Sequence, residues 1–287
     1  MKKWIYRTLI IVFALIFAVS AFLLADYFIR SHKQKDKYDQ LAELVQQHRP
    51  TQPTAPELTD PSDPTEESVE QTQPTEPTEP KSELVEIVHP ETGETVKVLP
   101  EYAEIFRLNP DTVGWIFIPG TKVNYPVLQT PDNPDYYLTR DFYKQDAKHG
   151  AIYAREVCDV NKPSDNITIY GHHMRDGSMF ADIMDYQHKS FYEDHKYICF
   201  DTLKERHTYE VVAAFTTTAS VGKGFKYHTY VDFENQESLD AFMRQCKGYA
   251  LYDTGVEVSL GDKLICLSTC EYTQTNGRMV VVAKRIS

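Results

Sequence analysis

The chain has 287 residues, 42 of them Asp or Glu and 30 Lys or Arg, for a formal net charge of −12. That surplus of carboxylate excludes nucleic-acid binding by the chain as a whole, because a phosphate backbone is gripped by clustered Lys and Arg. One or two domains would fit the length, but the first third of the chain is composed for other purposes.

From Leu9 to Ala25 the sequence is almost unbrokenly apolar, roughly 17 residues and the lower edge of what crosses a bilayer as a helix. Trp4 and Tyr6 before it, and Tyr27 and Phe28 after it, suit the two interfacial belts. The spacing predicts a short tail over 1–8, a membrane anchor over 9–28 and a juxtamembrane segment over 29–49. A cleaved leader is the competing reading, since Val19-Ser20-Ala21 offers small residues for processing; the apolar run continues through Phe22, Leu23 and Leu24, which favours the anchor. Charge does not orient the span. Lys2, Lys3 and Arg7 precede it, and Arg30, Lys33, Lys35 and Lys37 follow closely. Beyond it, Leu41, Leu44 and Val45 fall on one face of a short helix predicted over Tyr38 to Gln47.

Residues 50–83 change character. Eight prolines alternate with Thr, Glu, Gln and Ser, and nine carboxylates against Lys81 supply −8 of the net −12. With almost nothing to bury, this segment reads as an extended, disordered stalk.

The folded part is expected over 84–287. Tyr102, Ile105 and Phe106 share one helical face, which Asn109-Pro110-Asp111 ends. Strands are expected at Gly114 to Ile118, Val123 to Gln129, Gly150 to Arg155, Ile167 to Tyr170 and Thr208 to Thr216, with helix and loop from Phe180 to Phe191. Glu237 to Tyr249 sets Leu239, Phe242, Met243 and Cys246 on one stripe of an amphipathic helix. A C-terminal hairpin follows: Leu264 to Thr269 is apolar, Glu271 to Gly277 is turn-like, and Met279 to Ala283 is apolar again. The tally is mainly β and fits a closed barrel.

That hairpin carries the chemistry. Cys270 ends its first strand and Arg278 starts its second, so the two face each other across the mouth of the loop. A thiolate that attacks a carbonyl needs a fixed positive donor where the oxyanion forms, and a base or acid nearby. Asn166-Ile-Thr-Ile-Tyr-Gly-His172-His173 supplies two histidines just beyond a strand stopped by Gly171. The bland readings are a buried inert thiol, a solvated loop histidine and an edge-strand arginine; the three together at strand ends outweigh them. Five cysteines leave at least one thiol unpaired. Cys266 and Cys270, four residues apart on one strand, lie about 13 Å apart, beyond disulfide reach. Cys158, Cys199 and Cys246 read as small buried hydrophobes. Neither Cys-x-x-Cys nor His-x-x-x-His spacing surrounds the histidines and cysteines, so neither metal nor cofactor is expected.

Cys266-Leu267-Ser268-Thr269-Cys270, with Tyr170-Gly171-His172 upstream and Arg278 on the next strand, resembles the sortases, membrane-anchored cysteine transpeptidases of Gram-positive bacteria with the signature T-L-x-T-C. Cys266 replaces the first threonine of that signature. The resemblance covers roughly residues 99–286. It implies a closed β-barrel of about eight strands and catalytic roles for Cys270, His172 rather than His173, and Arg278. A helix before the first strand and one inserted before the Cys-bearing strand are most similar to class B. It further implies a cytoplasmic N-terminus, an extracellular catalytic domain, surface proteins with a C-terminal sorting motif as substrates, and a peptidoglycan precursor or cross-bridge amine as acceptor. Cleavage after a threonine through a thioester is part of that expectation. Tyr170, Leu138 and Glu271 match groove positions in similar enzymes, Ser268 alternates to the same strand face as Cys270, and Tyr227 is a further substrate-binding candidate. A non-catalytic surface binding module, or a thiol peptidase using water as acceptor, are the rival functions.

Arg278→Lys is expected to remove most turnover with little loss of stability, since Lys keeps the charge but not the planar fork. Near-normal turnover in that variant, with an unchanged melting curve, would exclude an oxyanion role for the guanidinium.

Overall fold

A computed structural model of the protein describes residues 2–49, 84–220, 222–273 and 275–287; the predicted stalk lies outside the described residues. The first element is a single helix, α1 (Lys2–His48), of 47 residues and about 70 Å. The sequence reading separated a span from a short helix at Tyr38. The two are continuous because neither Gly nor Pro occurs before Pro50, so nothing breaks the ladder. Apolar side chains from Ile5 to Ile29 stand exposed on α1, whereas Tyr38, Leu41 and Val45 are buried against the folded part.

A hairpin of β1 (Val85–Val88) and β2 (Thr95–Val98), which the sequence reading passed over, leads to α2 (Ala103–Leu108). Then come β3 (Thr112–Phe117), β4 (Asn124–Leu128), β5 (Ile152–Ala154) and β6 (Asn166–Tyr170). A 3-10 turn (Ala181–Gln187) and α3 (Lys189–Asp194) fill the predicted helix and loop. β7 (Tyr197–Thr202) is a third unforeseen strand, its Ile198 and Phe200 pointing into the core. β8 (Thr208–Thr218), α4 (Gln236–Tyr249), β9 (Leu264–Glu271) and β10 (Gly277–Arg285) complete the chain.

Eight strands close into a barrel in the order β10-β8-β7-β3-β4-β5-β6-β9. Pairing is antiparallel except at β4–β5 and β6–β9, which run parallel. Period-two alternation divides β9 between two cores. Ile265 and Leu267 join the barrel interior with Ile167, Ile169 and Val281, while Leu264 and Cys266 face outward under α4. There α4 lays down the predicted stripe of Leu239, Phe242, Met243 and Cys246, with Asn235 and Ser238 forming a reciprocal cap at its start. Cys266 is thus a small hydrophobe filling the seam between β9 and α4, its thiol pushed up by complete burial.

The end of α1 belongs to the barrel. Just past it, Arg49 Nη2 meets the buried Asp201 carboxylate at 2.5 Å, and Tyr102 Oη donates to the same oxygen at 2.6 Å. The seating of α1 on the barrel sets the distance from the apolar segment to the folded part. Leu41 is fully buried. Leu41→Ala should cost about 3 kcal/mol of unfolding free energy in denaturant titrations of the full chain; a loss under about 0.5 kcal/mol, the range of surface changes, would mean that α1 is not part of the core.

Candidate active site

Parallel pairing of β6 with β9 sets Tyr170 beside Ser268, so both strands deliver their next residues to the same rim. Gly171 continues the ladder by donating its N–H to the Ser268 carbonyl at 3.1 Å. A side chain does not fit there: a Cβ on Gly171 would stand 2.4 Å from Ile152 Cδ1 and 2.6 Å from Phe180 Cγ. Glycine lets β6 pass flush over the core and release His172 at the rim. Antiparallel pairing of β9 with β10 then places Arg278 directly opposite Cys270. Asn276, at a φ of 54°, takes the left-handed conformation that Asn tolerates in such turns.

His172 Nε2 lies 2.7 Å from the Leu138 carbonyl oxygen. A carbonyl only accepts, so Nε2 carries a proton, and Nδ1 remains for the Cys270 thiol. The two side chains are hydrogen-bond partners and shift each other's titration. The Cys270 thiol is lowered, first by that hydrogen bond and then by the Arg278 charge, against the opposing effect of partial burial. The His172 imidazole is raised, chiefly by the same bond, with the Leu138 carbonyl adding to it. Each ionised form supports the other, which enlarges the thiolate and imidazolium population. The other four cysteines are all pushed up by burial. Only Cys270 has the electrostatic setting of a nucleophile.

His173 has a different place. Its Nδ1 lies 3.3 Å from the Cys270 carbonyl oxygen and its ring packs on Tyr272, so it braces the backbone of the Cys270 strand.

A cavity of about 250 Å³ opens at this rim, and Cys270, His172, Arg278, Ser268, Tyr170, Leu138 and Tyr227 all line it. Buried Ser268 and Tyr227 share a hydroxyl contact of 2.6 Å, which ties the outer face of β9 to the 3-10 turn Tyr227–Thr229. Glu271 is the exception among the predicted substrate contacts. It is absent from the lining, and its carboxylate accepts the Thr273 N–H at 2.6 Å.

The wall also holds Asp135, Tyr153 and His228, which sequence reasoning missed. Tyr153 pairs with Tyr170 across β5 and β6, and its hydroxyl donates to Asp135 Oδ1 at 2.8 Å. Knowing that β5 neighbours β6 would have found it. Asp135 arrives on a loop and His228 on the 3-10 turn Tyr227–Thr229, its carbonyl held by Arg155, and no local pattern marks them. Among the described residues, no three His, Cys, Asp or Glu are placed to hold a metal ion.

A thiol with lowered pKa, an imidazole and a guanidinium at one barrel rim define a cysteine acyl-transfer site. The Sortase domain family matches residues 116–286. The chain belongs to the sortase family, whose members are cysteine transpeptidases. Within that family its likeness is to class B. It is 37% identical over 191 residues to sortase B of Staphylococcus aureus, covering 66% of this chain and 76% of that protein. To sortase B of Listeria monocytogenes it is 34% identical over 194 residues, covering 67% and 76%. A Staphylococcus aureus sortase B–substrate complex superposes with a TM-score of 0.68 at 28% identity, over 90% of this chain and 99% of the other.

His172→Ala should return the Cys270 thiol toward an ordinary value of about 8.5. The midpoint of the pH profile of Cys270 alkylation would then rise, each unit slowing the reaction about tenfold at pH values below both midpoints; an unmoved midpoint would break the proposed coupling. Gly171→Ala is expected to lower turnover more than it raises KM, because the ring is displaced while the cavity wall stays; an unchanged kcat would show that the rim accommodates the methyl group.

Proposed function

We propose that this chain cleaves a C-terminal sorting motif of exported proteins after a threonine and joins the new carboxyl to a cell-wall amine. The observation that carries the reading is the placement of Cys270 opposite Arg278, with His172 beside them lining the same cavity at the barrel rim. In the first half-reaction Cys270 Sγ attacks the carbonyl carbon of the threonine itself, and the electron pair of the C=O bond moves to oxygen, where the Arg278 guanidinium stabilises it. Collapse breaks the C–N bond, His172 gives its proton to the departing amine, and a thioester remains on Cys270. In the second, His172 takes a proton from the incoming amine, whose nitrogen attacks the thioester and expels the thiolate. The acceptor is a peptidoglycan precursor or cross-bridge amine. Ser268, Tyr170, Leu138 and Tyr227 are proposed to line the groove for the motif.

Residues 9–28 are proposed as a single membrane crossing, with 1–8 cytoplasmic and the barrel outside. α1 supports this, as the one helix among the described residues that is long and apolar enough to cross. Holding both substrates and enzyme at one surface raises their effective concentration.

The test is incubation of the full chain, in detergent micelles, with quenched C-terminal sorting peptides, with and without a short glycine-rich amine. Cleavage that depends on Cys270 together with a ligated product is expected. Cleavage without ligation at high amine would make the protein a peptidase, and Cys270-independent behaviour would make it a binding module.

A further inference from the structure

The carbonyl that holds His172 sits in the segment between β4 and β5, and this segment is gripped by α1. Lys37 Nζ reaches Asp141 Oδ2 at 2.7 Å and Gln145 Oε1 at 3.1 Å. Asp141 is only 1% exposed, and its other oxygen accepts the N–H groups of Tyr143 and Gln145, both at 3.0 Å. This buried carboxylate organises the turn, and the cation it needs comes from α1. One residue on, Tyr38 Oη donates to the Gly150 carbonyl at 3.2 Å; burial pushes its hydroxyl up, so it stays a donor at any working pH.

Gly150 lies against the site. At a φ of +56°, a Cβ there would stand 2.7 Å from the carbonyl oxygens of Tyr137 and Leu138 and 3.1 Å from His172 Cδ2. Gly150 thus touches the Tyr38 hydroxyl on one side and lies against the Leu138 carbonyl and the His172 ring on the other. Cys270 on β9 and Arg278 on β10 act on the ring's charge, and Asp135, Tyr153, Tyr170 and His228 share its cavity.

We propose that Lys37 and Tyr38 are positioning residues of the active site, through which the helix that carries the apolar segment fixes the Leu138 carbonyl and so the tautomer and orientation of His172. The proposal rests on Cys270 and His172 being the reactive pair. It makes the seating of α1 on the barrel a determinant of thiol reactivity, in addition to its anchoring role. Without α1 the barrel keeps every catalytic side chain but loses the cation on Asp141 and the donor on Gly150. The Leu138 carbonyl is then held by its own turn alone.

The test compares the full chain in micelles with its Tyr38→Phe, Lys37→Ala and Lys37→Arg variants. Tyr38→Phe keeps the ring's packing and removes only the donor, so it separates positioning from folding. For each, the pH profile of Cys270 alkylation is read by peptide mapping, with kcat and KM for a sorting peptide and the melting curve alongside. Tyr38→Phe and Lys37→Ala should raise the alkylation midpoint and lower kcat about tenfold with little change in KM, while Lys37→Arg restores both. Losses that merely follow the folded fraction, or an unmoved midpoint in Tyr38→Phe, would overturn the proposal. Should the parent chain turn over no peptide, the transpeptidase reading fails, whereas the alkylation profiles still report whether α1 positions His172.

Discussion

The parallel pairing of β6 with β9 is the constraint on which the site depends. In an antiparallel pair, the residue after one strand emerges opposite the start of the other, and His172 would lie at the far end of β9 from Cys270. Parallel register with Tyr170 beside Ser268 brings both strand ends to one rim. Parallel neighbours need a long crossover, here the chain from α3 through β7, β8 and α4. Much of the fold between residues 171 and 264 thus serves to return β9 alongside β6. The hairpin to β10 adds Arg278 at no further topological cost, because antiparallel register already sets it opposite Cys270.

Chemistry at the rim is a contest between burial and charge. Partial burial raises a thiol and lowers an imidazole, which would neutralise both. The hydrogen bond between Cys270 and His172 outweighs burial at each partner, and the site remains partly buried. Cys266, four residues earlier and fully buried, shows the outcome without an imidazole or guanidinium beside it: burial outweighs its contact with Asn166 and its thiol moves the other way. Strand position alone does not make a cysteine reactive. The imidazole and guanidinium beside it do.

The role of α1 follows from the same economy of contacts. Its apolar part stands exposed among the described residues, yet from Lys37 onward it supplies core side chains and the cation for Asp141, and Arg49 just past its end gives the guanidinium for Asp201. A helix that enters the core this way restricts how far the barrel stands from the apolar segment. The cavity is thereby held at a fixed distance from the apolar segment of α1.

Much of this was legible in the chain itself. The Leu-Ser-Thr-Cys strand, the arginine beyond Asn-Gly and the histidine after Gly171 are local patterns, and each chemical type implies its role wherever the chain places it. The α4 stripe and most barrel strands are likewise periodicities that the sequence carries in full. Other features depend on partners remote in sequence. Glu271 lies outside the lining with its carboxylate on the Thr273 N–H, a local contact that residue type does not reveal. Tyr153 and Asp135 joined the wall because β5 lies beside β6, and β7 was passed over because a six-residue strand is specified mainly by its neighbours. The continuity of α1 was written in the absence of Gly and Pro before Pro50. Its grip on the turn that orients His172 was not, since Lys37 and Asp141 stand 104 positions apart and only packing brings them together.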